Sequence, residues 1–151
     1  MSGTFGYELD PGKLTAQEKD QIREQLRLFR KHYDLIQGGL LYRLTAIQED
    51  TYEAWQFAAE DKSEALLNVV VTAPRANRPL INIRLKGLEP DGIYELTDES
   101  DGYYMAVPSE PPVKEWKKLF TGGALMFGGY TLPNVWGDYP AFQLHFRRID
   151  G

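Results

Sequence analysis

The sequence predicts a mostly β fold, α+β by count, in which one N-terminal amphipathic helix precedes an antiparallel β-sandwich with Greek-key-like connections. Two observations support this prediction. From residue 40 onward, short segments with alternating apolar and polar side chains recur between turn residues. Residues 16–36 instead carry the longer apolar spacing of a helix. Many short strands after a single helix favour a sandwich or barrel over alternating βα units.

The predicted helix, residues 16–36, begins at a capping box formed by Thr15 and Glu18. In this motif the Thr15 hydroxyl accepts from the Glu18 amide, and the Glu18 carboxylate accepts from the Thr15 amide. Four apolar side chains then recur at helical spacing and form one stripe: Ile22, Leu26, Phe29 and Tyr33. A single helix cannot cover such a stripe, so we expect it to pack on the sheet or on a partner.

A hairpin within residues 53–72 is the clearest β element. Trp55 and Phe57 alternate with Gln56 in its first strand, and Leu67, Val69 and Val71 alternate with Asn68 and Val70 in its second. The connection at residues 60–63 is short and polar, which predicts antiparallel neighbours. Trp55 is therefore interpreted as a core residue.

Further strands are predicted on both sides of this hairpin. Their ranges are 3–10, 40–46, 80–86, 93–96, about 103–107, 119–121, 124–127 and 142–149. Glycine pairs at 122–123 and 128–129 flank one of these apolar runs, and we expect them to bend strands or tighten turns rather than to bind phosphate. Alternation in the last strand places His145 on its polar face.

Composition excludes several classes of protein. With 151 residues the chain has the length of one domain. Seventeen basic against 22 acidic residues give a net charge of -5, which argues against a nucleic-acid partner. The absence of cysteine excludes disulfides and thiolate chemistry. No apolar run approaches the roughly 18 residues of a membrane span, and the N-terminus lacks the pattern of a signal peptide. We expect a cytoplasmic protein without a membrane partner.

Residues suited to catalysis or metal binding are few. The two imidazoles, His32 and His145, lie on different predicted elements, so we expect no metal and no other cofactor. Neither Ser63 nor Ser100 lies in a nucleophile-elbow motif. Nearly all carboxylates outside the helix fall in turns, and no pair has the character of a glycosidase acid and nucleophile. The residues themselves therefore indicate no catalytic site.

The aromatic residues leave one binding hypothesis open. Trp136 lies in the loop 133–140, with Tyr130 and Tyr139 close in sequence. Flat rings of this kind can stack on sugars, which would make Trp136 and Tyr139 the platform of a carbohydrate-binding module. The alternative is that Trp136 caps one end of the sandwich or packs on a neighbouring domain.

Five sequence segments, taken in their order along the chain, indicate a protein family. They are F-G-Y-E-L-D at 5–10, I-Q-G-G-L-L-Y-R-L at 36–44, E-A-W-Q-F-A-A-E-D-K-S-E-A at 53–65, I-R-L-K-G-L-E-P-D-G-I-Y at 83–94 and T-G-G-A-L-M at 121–126. Together they resemble the C-terminal end of a bacterial α-galactosidase of glycoside hydrolase family 36. The resemblance covers most of the chain, although none of the five segments is a catalytic motif.

The resemblance implies a non-catalytic fragment of a retaining α-galactosidase. Residues 1–38 would be the remnant of the last β/α unit of a (β/α)₈ barrel, and residues 39–151 the C-terminal antiparallel β-sandwich domain. The family's two catalytic aspartates lie on earlier barrel strands, one within a K-W-D-x-N-R-like motif that this chain lacks. We therefore carry over no catalytic, cofactor-binding or metal-binding residue, and we expect this chain alone to be inactive.

Three functions remain as hypotheses. The first is support of the catalytic barrel of the parent enzyme, which hydrolyses terminal α-galactosides. The second is a stand-alone carbohydrate-binding β-sandwich, and the third a small enzyme with a carboxylate pair. In the isolated chain, we expect the apolar stripe of the helix to dock on the sheet or to form a homo-oligomer.

Overall fold

The structure is a computed structural model, and it describes residues 6–45, 51–73, 80–98, 118–132 and 140–150. Two helices come first, α1 (Ala16–Lys31) and α2 (Tyr33–Gly38). The strands are β1 (Leu40–Arg43), β2 (Tyr52–Ala58), β3 (Glu64–Val71), β4 (Asn82–Ile83), β5 (Ile93–Asp98), β6 (Lys118–Thr121), β7 (Tyr130–Thr131) and β8 (Ala141–Arg148). A π-helical turn, Ala124–Gly128, lies between β6 and β7.

Six strands form one large antiparallel sheet in the order β1-β2-β3-β8-β5-β6. The last strand, β8, is inserted between β3 and β5, which gives the sheet a Greek-key-like connection in place of a simple meander. The short strands β4 and β7 form a second antiparallel sheet. The predicted mostly β class, with its sandwich architecture, is confirmed.

The main core lies between the two sheets. One face of the large sheet contributes Ala54, Leu67, Val69, Leu144 and Phe146, among others. The opposite layer, which contains the small sheet and the π-helical turn, contributes Ile81, Ile83, Leu85, Leu125, Tyr130 and Leu132. All of these side chains are buried, so the two layers together remove a continuous apolar surface from water.

The helices cover part of the other face of the large sheet. There, Leu35 and Ile36 of α2 pack with Phe57 of β2 and Leu66 of β3, and Phe29 of α1 packs against this cluster. The stripe therefore docks on the chain's own sheet through Phe29, while Tyr33 stays 48% exposed. Because both faces of β3 are covered, burial along this strand is almost continuous and does not alternate.

The helix differs from its prediction at His32. The capping box at Thr15 is present, with both of its hydrogen bonds. However, His32 has φ −107° and ψ 10°, which ends α1 and separates it from α2. The prediction of one continuous helix over residues 16–36 was therefore wrong. The His32 side chain is 2% exposed, and its contact with the sheet provides a tertiary reason for the break that helical periodicity cannot reveal.

Two predicted strands are absent from the described residues. Residues 6–10 have no regular structure, and no neighbouring strand pairs with them in the part of the chain that the structure describes. The run at 124–127 forms the π-helical turn, because Ala124 N donates to Thr121 Oγ1 at 3.1 Å and Gly129 takes a left-handed φ of 83°. Here the glycines tighten a turn, as expected.

The other strands lie within a few residues of their predicted positions. The main exception is the predicted strand 80–86, which is reduced to Asn82–Ile83. The strand predicted near 103–107 lies outside the described residues, and β7 was not predicted. Among the residues that the structure describes, no helix is long and apolar enough to cross a membrane.

Candidate functional surface

The junction between helices and sheet is built around two histidines. His145 of β8 places its Nε2 atom 2.7 Å from Glu64 Oε2, on the neighbouring strand β3. The His32 ring meets the His145 ring edge to face, with 4.7 Å between the centroids. His145 lies on the face predicted from the alternation, but it is only 7% exposed because the helices cover that face. The face was predicted correctly, but its cover by the helices was not.

The electrostatics of this junction favour an ionised Glu64. Its pKa is lowered chiefly by the hydrogen bond with His145. Partial burial opposes this shift, while the imidazoles of His145 and His32 add to it. Since both imidazoles are almost closed to solvent, the arrangement is suited to holding the helix on the sheet rather than to offering a base to a substrate.

The bond between Glu64 and His145 predicts a pH-dependent stability. Because the pKa of Glu64 in the folded state lies below its ordinary value of 4.5, the contribution is complete above about pH 4.5 and is lost as the pH falls through the lowered value. We expect Glu64→Gln to cost about 1 kcal/mol near neutral pH, a moderate value because this carboxylate is partly exposed. Urea unfolding between pH 3 and 8 measures the difference, which should shrink towards pH 3.

The control for this experiment is Asp20→Asn, because Asp20 forms an exposed pair with Arg23 on the surface of α1. Its unfolding midpoint should stay close to that of the wild type over the same pH range. A constant difference between Glu64→Gln and wild type from pH 3 to 8 would contradict the proposed role of the Glu64 carboxylate.

Two buried polar groups connect the large sheet to the segment before β5. Gln56 donates from Nε2 to Lys86 O at 2.7 Å, and its Oε1 accepts from Lys86 N at 3.0 Å. The Tyr94 hydroxyl donates to Lys62 O at 2.7 Å and accepts from Glu89 N at 2.9 Å. Burial raises the pKa of Tyr94. These contacts satisfy buried polar atoms and position loops, which is a structural role.

An apolar surface remains exposed along the N-terminal part of the chain. Tyr7 is 38% exposed and Leu9 48%, next to α1, where the Tyr7 hydroxyl donates to Gln25 Oε1. On β1, the edge strand that follows α2, Leu40 is 46% and Leu41 56% exposed. Exposed apolar side chains that recur over neighbouring elements are typical of a surface that contacts another protein part.

A groove opens at this edge of the large sheet, with a volume of about 310 Å³. Its lining includes Leu41 and Arg43 of β1, Trp55 and Phe57 of β2, and the flanking Thr45 and Glu53. In the β1–β2 register, Leu41 lies opposite Phe57 and Arg43 opposite Trp55. Trp55 is half-buried against the cluster beneath the helices, which agrees with its interpretation as a core residue.

The other predicted candidates are separated or lie outside the described residues. Tyr130 is buried in the main core beside Phe120 and Phe146, so it is not available as part of a sugar platform. Trp136 and Tyr139 lie outside the described residues. Within the described ranges, no group of three histidine or acidic side chains could hold a metal ion. The absence of catalytic and cofactor-binding residues stays a prediction.

Several carboxylates have structural partners. Glu89 pairs with Lys62, Glu95 with Arg147 and Asp150 with Arg148. Sequence reasoning missed the proximity of His32 and His145, which are 113 positions apart and carry no local signal of contact. Together, these features define an antiparallel β-sandwich domain whose helical N-terminal segment is anchored to one sheet and whose edge strand is apolar and exposed.

Comparison with known proteins identifies the family. Residues 52–146 match the model of the glycosyl hydrolase family 36 C-terminal domain. The chain is 36% identical to the bifunctional α-galactosidase/sucrose kinase AgaSK of Mediterraneibacter gnavus, over 99% of this chain and 14% of that protein. It is 35% identical to α-galactosidase AgaA of Geobacillus stearothermophilus, over 99% of this chain and 18% of that protein.

Solved structures agree with this assignment. The crystal structure of the family 36 α-galactosidase AgaB from Geobacillus stearothermophilus matches with a TM-score of 0.80 and 34% identity, covering 98% of this chain and 18% of that one. The chain thus belongs to glycoside hydrolase family 36 and corresponds to its C-terminal region. It spans less than a fifth of the length of these relatives.

Proposed function

We propose that this chain is the non-catalytic C-terminal part of an α-galactosidase and supports the catalytic barrel of that enzyme. Residues 1–38 would be the last β/α unit of the barrel, and residues 39–151 the sandwich that holds it. The parent enzyme would hydrolyse terminal α-galactosides with retention of configuration. The names of its relatives support the substrate class, since AgaSK and AgaA are both α-galactosidases.

The observation that carries this proposal is the two-sided character of the helical segment. Its C-terminal end is anchored in the sandwich, where Leu35 and Ile36 pack on Phe57 and His32 meets His145. Three further apolar side chains of this segment remain partly exposed: Tyr7 is 38%, Leu9 48% and Tyr33 48% exposed. A segment that is fixed at one end and apolar on its exposed side is suited to joining a β domain to a further structural unit.

The release of galactose from melibiose and raffinose tests the proposal. It is measured for three proteins: this chain, the full-length enzyme that contains this chain, and the full-length enzyme lacking residues 39–151. We expect no turnover by the chain alone, turnover by the full-length enzyme, and loss of most soluble activity on deletion. The expected loss follows because removing the sandwich uncovers Leu35 and Ile36.

Two results would contradict the proposal. Turnover by the chain alone would place catalytic groups within it, and a deletion variant as active and heat-resistant as the full-length enzyme would remove the supporting role. Tryptophan fluorescence recorded in the same samples addresses the alternative function. Saturable sugar binding without turnover would favour the carbohydrate-binding module.

A further inference from the structure

We infer that the groove on β1 and β2 is a second docking site for the catalytic part of the same polypeptide, which packs an apolar side chain onto the surface formed by Leu41, Trp55 and Phe57. This inference rests on the proposed function and extends it. The helical segment would be one contact with the barrel, and the open edge of the sandwich would be another.

The floor of the groove is preformed and apolar. Phe57 is 5% exposed and packs against Leu35 and Ile36 on the face of the sheet that the groove shares, so its ring is held in place by α2. Trp55 packs against the same cluster and continues the floor towards Arg43. Leu41 stands opposite Phe57 in the register and is 56% exposed, so it forms an apolar wall that is largely open to solvent. A rigid apolar floor can receive a side chain at little entropic cost.

At Leu40 and Leu41 the edge strand β1 has the apolar character of a covered strand, whereas Arg43 at its end is charged and exposed. Successive side chains of a strand point to opposite faces, yet Leu40 and Leu41 are both apolar and 46% and 56% exposed. Edge strands that face water usually carry charges or proline, because an apolar edge invites aggregation. On the far side of β1, no strand pairs with it within the described ranges. The strand therefore fits a position against another part of the protein.

The far end of the groove is charged. Glu53 is exposed and accepts from Thr45 Oγ1 at 2.9 Å, which orients its carboxylate. Arg43 is exposed on the neighbouring strand. With one cation and one anion at the same end, the groove favours a partner segment that carries both a positively and a negatively charged group next to its apolar side chain. A purely apolar partner would remove water from both charged groups without offering either of them a new polar contact.

The position of the groove along the chain identifies its occupant. The relatives extend over more than five times the length of this chain, and the matching family model is a C-terminal domain, so we place the catalytic remainder before it. The helical segment leads from that remainder into the sandwich, and only Gly39 separates α2 from β1. The groove thus lies on the first strand after the connection, beside the helix that joins the two parts.

Leu41→Ser, made both in this chain and in the full-length enzyme, tests the inference. In the isolated chain Leu41 is exposed, so the thermal midpoint should move by no more than about 2 °C. In the full-length enzyme the same change removes a covered apolar contact, and we expect the half-life of activity on heating to fall about five- to tenfold. The control is Leu119→Ser on β6, at the opposite edge of the same sheet and 47% exposed, for which we expect equally small effects in both contexts.

The outcomes separate this inference from the proposed function. If Leu41→Ser has the same small effect in both contexts while deletion of residues 39–151 still abolishes activity, the groove inference fails and the supporting role stands. Sedimentation of the isolated chain as a dimer that Leu41→Ser dissociates would assign the groove to a second copy. Raffinose binding to the isolated chain that Arg43→Ala abolishes would assign it to a sugar. Either result overturns the inference.

Discussion

Truncation of Phe146 to alanine is expected to destabilise the chain by about 3–5 kcal/mol, the usual cost of removing a large aromatic from a packed core. Phe146 is fully buried at the centre of the main core. Its ring meets Tyr130 at 5.8 Å and Phe120 at 6.4 Å between centroids, both edge to face. These rings come from β6, β7 and β8, so the cavity would loosen the contact between the two sheets.

Chemical denaturation followed by circular dichroism measures this loss. The matched control is Phe127→Ala, because Phe127 is 74% exposed on the π-helical turn and its truncation should change the free energy of unfolding by less than about 0.5 kcal/mol. Similar losses for the two variants would mean that Phe146 is not at the centre of the core.

Gly122→Ala is the second substitution with a large expected effect, about 3 kcal/mol of lost stability. A Cβ atom at Gly122 would overlap the carbonyl oxygen of Glu89, which is backbone and cannot rotate away. The two segments are also tied by backbone hydrogen bonds, from Gly122 N to Gly92 O at 2.9 Å and from Gly123 N to Pro90 O at 2.7 Å. An alanine would have to separate these segments.

Gly128→Ala is the control, because a Cβ atom there meets nothing within 4 Å. We expect its unfolding midpoint in urea to stay close to wild type, whereas Gly122→Ala should unfold at a clearly lower concentration with an unchanged slope. If the two alanine variants unfold at the same urea concentration, the close approach of Gly122 to Glu89 does not limit which side chain the position accepts.

Both substitutions act on the sandwich itself and leave the proposed junction with the barrel unchanged. In the full-length enzyme we therefore attribute any loss of activity in these two variants to unfolding of the sandwich domain. Leu41→Ser differs, because its effect should depend on whether the rest of the enzyme is present.

Local patterns were sufficient for much of the fold. The hairpin of β2 and β3 was predictable because its alternation and its polar turn at 60–63 are both encoded within twenty residues. The start of α1 was predictable for the same reason, since the capping box needs only Thr15 and Glu18. The run at 124–127 was predicted wrongly because an apolar segment this short fits either a strand or a turn of helix.

The family was also accessible from the sequence, because the order of five segments extends over most of the chain and does not depend on exposure. Which side chains are exposed at the surface could not be predicted from the sequence. Exposure of Leu41 and burial of His145 depend on where the helices end, and α2 covers Phe57 but leaves the edge beyond it open. Alternation places a side chain on a face of a sheet, yet it contains no information on what lies above that face.

The sequence by itself determined the fold class, the main strands, the helix start and the family of this protein, since each depends on residues that are neighbours along the chain or on their order. Only the tertiary structure decided the break at His32, the meeting of His32 with His145 and Glu64, and the groove at Leu41 and Phe57. These features join residues from distant positions, and the free energy that fixes them comes from packing and burial across elements.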